Sequence, residues 1–99
     1  MNNPFDFLKN MGQLQNQMQQ LQSKMQETTA TGEAGAGMVK VTVNGLCNVQ
    51  SVSIDAQLMT AEDQHTVEVL VASATNEAIK KVQELIKEQG MGMLGGMQS

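Results

Sequence analysis

Few side chains in this sequence are of types that perform chemistry, and those few stand apart from one another. Cys47 is the only cysteine and His65 the only histidine among 99 residues. A disulfide, a zinc site or a cysteine–histidine nucleophile needs at least two such residues in a defined relation. We therefore expect no enzyme activity, no metal centre, no cofactor and no small-molecule substrate, with Cys47 as a small buried apolar residue.

Three methionines near the C-terminus are the remaining candidates for a ligand. Thioether sulfurs of Met91, Met93 and Met97 could bind a soft ion such as Cu(I), but no Cys or His accompanies them. The segment after Gly90 is rich in glycine and has no hydrophobic period. We expect residues 90–99 to form a disordered tail.

The elements that would position any site begin with a sheet, predicted over about residues 28–55. Between residues 38 and 43 the chain alternates, with Val39, Val41 and Val43 on one face. This period of two, with β-branched side chains, is typical of a half-buried strand.

Turn signals flank this strand on both sides. Asn44-Gly45 predicts a hairpin, because both residues tolerate positive φ, and the returning strand spans about residues 47–55. Glycines at 32, 35 and 37 predict a turn on the other side, with a weaker strand over residues 28–34. The three strands would form an antiparallel meander.

The register of the second hairpin has two solutions. A three-residue loop would place Val43 opposite Cys47, and Val52 and Ile54 would then lie on the opposite face from Val43. A bulge near Gln50-Ser51 would return them to the valine face; otherwise both faces of the sheet must be covered. We favour the bulge.

The first helix is predicted over about residues 4–27. Pro4 suits the first helical position, and Asp6 lies near the positive end of the helix dipole. Apolar residues then recur at alternating spacings of four and three, as in the seam of a coiled coil. We call this set the α1 seam: Phe7, Met11, Leu14, Met18, Leu21 and Met25.

This helix is too long for the body that carries it. About 24 residues span roughly 36 Å, whereas a 100-residue domain has a radius of gyration of only about 13 Å. The seam could pack on the chain's own sheet or second helix, but we favour a second copy of the chain. The predicted homodimer interface comprises Met11, Leu14, Met18, Leu21, Met25, Val39, Val41 and Val43.

A second helix is predicted over about residues 61–89. Thr60 and Asp63 form a capping box at its start, and an apolar stripe from Val67 to Leu85 follows at helical spacing. Gly90 is expected to end it. Residues 1–89 therefore form a single α+β domain, an α-β-β-β-α protomer with a three-stranded meander between two long helices.

Net charge and hydropathy limit the possible partners. The formal charge is −4, with six basic and ten acidic residues. Composition alone argues against a nucleic-acid-binding protein, which usually carries a basic surplus. No apolar run approaches the roughly 20 residues of a membrane helix, so we expect no membrane association and a cytoplasmic location.

Two blocks of this sequence resemble the YbaB/EbfC family of bacterial nucleoid-associated proteins. The first is MQQLQSKMQ at residues 18–26, followed by the glycine-punctuated strand block TGEAGAGMVKVTVNG at 31–45. The second is VSID at 52–55 with LVASATNEA at 70–78. The resemblance implies a tweezer-like homodimer that binds double-stranded DNA with little sequence specificity in the cytoplasmic nucleoid.

Under this resemblance, the lysines are the candidate contacts to DNA phosphates. They are Lys9, Lys24, Lys40, Lys80, Lys81 and Lys87. The last three could instead serve only the dipole of the second helix, near its C-terminal end. An alternative function is that of a structural or adaptor protein whose methionine-rich helix binds other proteins.

Overall fold

The computed structural model describes residues 4–98. In chain order its elements are α1 (Pro4–Glu27), β1 (Thr29–Ala34), β2 (Val39–Asn44), β3 (Val49–Ile54), a short 3-10 helix (Ala56–Leu58) and α2 (Gln64–Gln98). The strands form one antiparallel sheet in the order β1-β2-β3. The predicted α+β class and the α-β-β-β-α order are confirmed.

The core lies between α2 and one face of the sheet. Val39, Val41 and Val43 are fully buried there and pack with small residues and one valine of α2: Ala74, Ala78 and Val82. The prediction that these three β2 valines belong to the dimer interface is wrong. Alternation along a strand identifies its buried face, and here α2 of the same chain already covers that face.

A glycine in β1 sets how closely α2 approaches the sheet. A Cβ atom at Gly32 would collide with the carbonyl oxygen of Ala74 and the backbone nitrogen of Ala78. The backbone of α2 therefore rests directly on β1, which requires glycine on the strand and alanines on the helix.

The second hairpin contains the predicted bulge. Thr42 pairs with Ser51 and Val43 pairs with Val49, so Gln50 is the additional residue. Val52 and Ile54 thus lie on the same face as the β2 valines, each opposite one of them.

The loop of this hairpin is longer than predicted, and Cys47 is not buried. Asn44 Oδ1 accepts hydrogen bonds from the backbone amides of Leu46 and Asn48, both at 3.0 Å. This side-chain cap holds a loop between residues 44 and 49 in which Cys47 is exposed and takes a φ of 63°. Val43 consequently pairs with Val49 and not with Cys47.

The limits of α2 differ from the prediction at both ends. Thr60 and Asp63 form the predicted cap, with the Asp63 amide donating to Thr60 Oγ1 at 3.2 Å, but the α-helix begins at Gln64. At the other end α2 continues past Gly90 to Gln98, where the sequence predicts a disordered tail. Gly90 meets no other atoms within 4 Å of a Cβ position, and a glycine in an open helix costs only about 1 kcal/mol. Ser99 and residues 1–3 lie outside the described residues.

Candidate nucleic-acid interface

The molecule is elongated because α1 leaves the body of the protein. The described chain extends 72 Å along its longest axis. The last turn of α1 is fixed to the β2–β3 turn, where the Gly45 amide donates to the Met25 carbonyl at 2.8 Å. From there towards its N-terminus, residues 5–24 of α1 are exposed.

The two helices meet in a crook at the base of α1. A concavity of about 230 Å³ lies there, lined by residues of both helices: Leu21, Lys24, Met25, Ile86, Gln89 and Gly90. No pattern in the sequence predicts this meeting, although Ile86 lies at helical spacing beside the apolar stripe of α2. The crook defines the arm end of the molecule, from which α1 projects.

Among residues 5–90, no side chain covers the α1 seam before its last residue. Met18 is 70% exposed and Leu14 58%, and Phe7, Met11 and Leu21 are exposed as well. Met25, in the crook, is half-buried. The alternative in which the seam packs on the chain's own sheet or second helix is thus contradicted for all of the seam except its last residue.

Four of the six candidate lysines carry charges that no carboxylate neutralises. Within residues 4–98, no Asp or Glu oxygen lies within 4.0 Å of the ammonium groups of Lys9, Lys24, Lys80 or Lys87. All four are exposed, two on α1 and two on α2. Their charges are therefore available to a ligand.

The other two lysines are engaged with the protein itself. Lys40 lies 3.8 Å from Glu33 on the polar face of the sheet. Lys81 Nζ contacts Glu77 at 3.0 Å and donates to the Thr31 carbonyl of β1 at 3.1 Å. The hydrogen bond from Lys81, helped by the Glu33 backbone amide, lowers the pKa of the Glu77 carboxyl below its ordinary value of 4.5. Lys81 thus fastens α2 to β1.

The negative charge of the protein is concentrated at one end. Residues 55–68 contain four of the ten acidic residues and no lysine, and the other six acidic residues balance the six lysines. This acidic segment adjoins the β1–β2 turn, since the Asp55 amide bonds the Met38 carbonyl. The crook adjoins the β2–β3 turn, at the opposite end of the sheet. The rest of the chain, including both helices beyond the segment, is neutral.

The remaining chemical candidates stay isolated. Within residues 4–98, no three His, Cys, Asp or Glu side chains are grouped so that they could hold a metal ion. His65 is exposed and lies 3.8 Å from Glu68, a neighbour on the same helix. The helices of the described chain do not include one that is long and apolar enough to cross a membrane.

Comparison with known proteins agrees with this architecture. The chain is similar in structure to an uncharacterized protein from Helicobacter pylori, with a TM-score of 0.72 and 29% sequence identity, over 95% of this chain and 99% of that one. In sequence, residues 1–97 match the YbaB/EbfC DNA-binding family. The chain therefore belongs to the YbaB/EbfC DNA-binding family.

Proposed function

We propose that two copies of this chain associate and bind double-stranded DNA through its phosphates, with little preference for base sequence. The protein would act in the nucleoid, in the cytoplasm, by changing DNA conformation and thereby nucleoid organisation and gene expression. Membership in a DNA-binding family, matched over residues 1–97, is the observation that carries this proposal.

The distribution of charge supports it, because the acidic surplus lies away from the proposed DNA surface. A dimer with a formal charge of about −8 would be repelled by DNA if its charges were evenly spread. With the acidic segment at one end, a duplex can approach the arm end without meeting it. Lys24 lines the crook there, and Lys87 follows Ile86 of the same concavity.

The chemistry of the surface favours contacts to the DNA backbone over contacts to bases. The polar side of α1 carries amide and hydroxyl side chains, including Asn16, Gln19 and Ser23, which can donate hydrogen bonds to phosphate oxygens. The sequence has no Trp or Tyr to stack on bases. Affinity should therefore depend on salt, and sequence preference should arise from DNA shape. We propose that the protein binds DNA without catalysing a reaction.

Titration of a fluorescent duplex at two salt concentrations tests the proposal. If about four phosphates are neutralised, affinity should fall about 100-fold between about 50 and about 200 mM salt. A chain that binds no duplex at the lower salt concentration would contradict the proposal.

Matched lysine variants locate the surface. Lys87→Gln and Lys24→Gln should each weaken binding and reduce the salt slope by about 2, because each removes one phosphate contact from each copy in the dimer. Lys40→Gln is the control, since Lys40 pairs with Glu33 and lies on the sheet. If all three variants bound the duplex with the affinity of the parent, the DNA surface would not include Lys24 or Lys87.

The exposed α1 seam favours a second candidate, an adaptor that binds a helix of another protein. Met11 and Met18 are flexible side chains that suit varied partners. A chain that is monomeric and does not bind DNA at low salt would favour this function over the first.

A further inference from the structure

The two outer edges of the sheet differ in whether other parts of the chain cover them. At β1, Lys81 donates to the Thr31 carbonyl at 3.1 Å, and the Glu33 backbone amide bonds the Glu77 carboxylate, so side chains of α2 cover this edge. Among the side chains of residues 5–90, none makes a hydrogen bond to the outer edge of β3. β3 also contains no charged residue and no proline, the features that usually protect an open edge.

The apolar face of β3 is open as well. Val41 is fully buried, whereas Val52, its partner across the ladder on the same face, is 48% exposed. Val49, opposite the buried Val43, is also exposed, and Ile54 is half-buried. A helix about 10 Å wide covers two strands spaced about 4.8 Å apart, so α2 shelters β1 and β2 and leaves β3 uncovered. The apolar face of β3 therefore has no helix packed on it.

The chain's own α1 is not that helix. Its last turn is held at the β2–β3 turn by the bond from Gly45 to Met25, and it then runs outward with residues 5–24 exposed. One chain therefore has two unmatched apolar surfaces: a helix seam without a sheet and a strand face without a helix.

We infer that α1 of a second copy lies over β3, with its seam turned towards Val49 and Val52, and that the exchange is reciprocal. A twofold axis makes each copy give one helix and receive one, so both unmatched surfaces are buried in both copies. A strand of six residues is roughly 20 Å long and seats about two heptads, which leaves the tip of α1 beyond the sheet. This inference rests on the proposed homodimer and specifies which surfaces form it.

Disulfide trapping between two different chains tests the inference. In a Cys47→Ser background, one chain carries Met18→Cys and the other carries Val52→Cys, and the two are refolded together and oxidised. A cross-link between the two chains is expected in high yield. Ser51→Cys in place of Val52→Cys is the matched control, because Ser51 pairs with Thr42 on the opposite, polar face of β3. Equal or greater cross-linking to Ser51→Cys would overturn the inference, as would no cross-link from Leu14, Met18 or Leu21 to Val52.

A mass measurement separates this inference from the homodimer itself. Val52→Lys should raise the dissociation constant of the dimer by roughly 100-fold or more, because a lysine would be buried without a partner, whereas Ser51→Lys should change it by less than about threefold. If Val52→Lys leaves the dimer intact, the inference fails and the homodimer stands. If the parent chain is itself monomeric, both fail.

Discussion

The two long helices of this protein carry similar apolar stripes and have different surroundings. α2 rests on the sheet, and Ala74, Ala78 and Val82 are fully buried. α1 repeats large apolar side chains at helical spacing with as much regularity, yet Met18 is 70% exposed. The difference lies in what faces each helix: α2 lies on β1 and β2, whereas α1 runs outward from the β2–β3 turn and does not reach the sheet face of its own chain. An apolar stripe thus identifies a surface to be covered, and the covering element can belong to another chain.

The largest expected effect is on the free energy of unfolding, and it compares an alanine substitution at Gly32, under α2, with the same substitution at Gly12 in α1. Gly32→Ala places a methyl group against backbone atoms of α2 that cannot rotate away, and it should lower the free energy of unfolding by about 3 kcal/mol or more. Gly12 meets nothing within 4 Å, so Gly12→Ala should raise helix stability by about 0.5–1 kcal/mol. Urea unfolding followed by circular dichroism measures both. A Gly32→Ala chain as stable as the parent would show that α2 does not seat on β1.

A charge in the α1 seam should affect association and leave the fold of each chain intact. Met18→Lys should raise the dissociation constant of the dimer by roughly 100-fold, because the seam loses its apolar cover and gains a buried charge. Gln19→Lys adds the same charge on the polar side of α1 and is the control. Sedimentation equilibrium measures the two constants, and far-ultraviolet circular dichroism checks that both variants are folded. Equal constants would mean that α1 takes no part in association.

The smallest effect concerns the contact that fastens α2 to β1. The Lys81 ammonium lowers the pKa of Glu77 below 4.5, so the ionised form of Glu77 stabilises the fold. This contribution is present above the ordinary pKa and is lost as the pH falls through the lowered one. Glu77→Gln should therefore reduce the urea midpoint at neutral pH and flatten its decline below pH 4.5. Glu84→Gln, the same change at an exposed position of α2, is the control. If Glu84→Gln flattened the pH dependence equally, the Glu77–Lys81 contact would not be its cause.

Much of the fold follows from local signals in the sequence. Alternation in Val39–Val43 and the Asn44-Gly45 turn predict the hairpin. A bulge near Gln50-Ser51 is favoured because it places Val52 on the face of the β2 valines, and the structure has it at Gln50. What covers each surface could not be predicted, because periodicity identifies an apolar face without identifying its neighbour. The alternation of the β2 valines, for example, does not reveal that α2 of the same chain covers them.

Other features depend on contacts that no local pattern contains. Cys47 is exposed because the Asn44 side chain caps the loop, which a residue type alone does not reveal. For the candidate site, the sequence identifies every lysine but not its partner: Lys81 is engaged through Thr31, fifty residues away. The separation of the acidic segment from the crook becomes visible only in the fold. This separation answers the argument against DNA binding that is based on the net charge.

The mass of the folded particle tests the central claim most directly, which is that α1 is covered by a second copy of the chain. Static light scattering at micromolar concentration should give twice the 10.7 kDa of a single chain. A well-folded particle of 10.7 kDa, constant across that concentration range, would contradict the account.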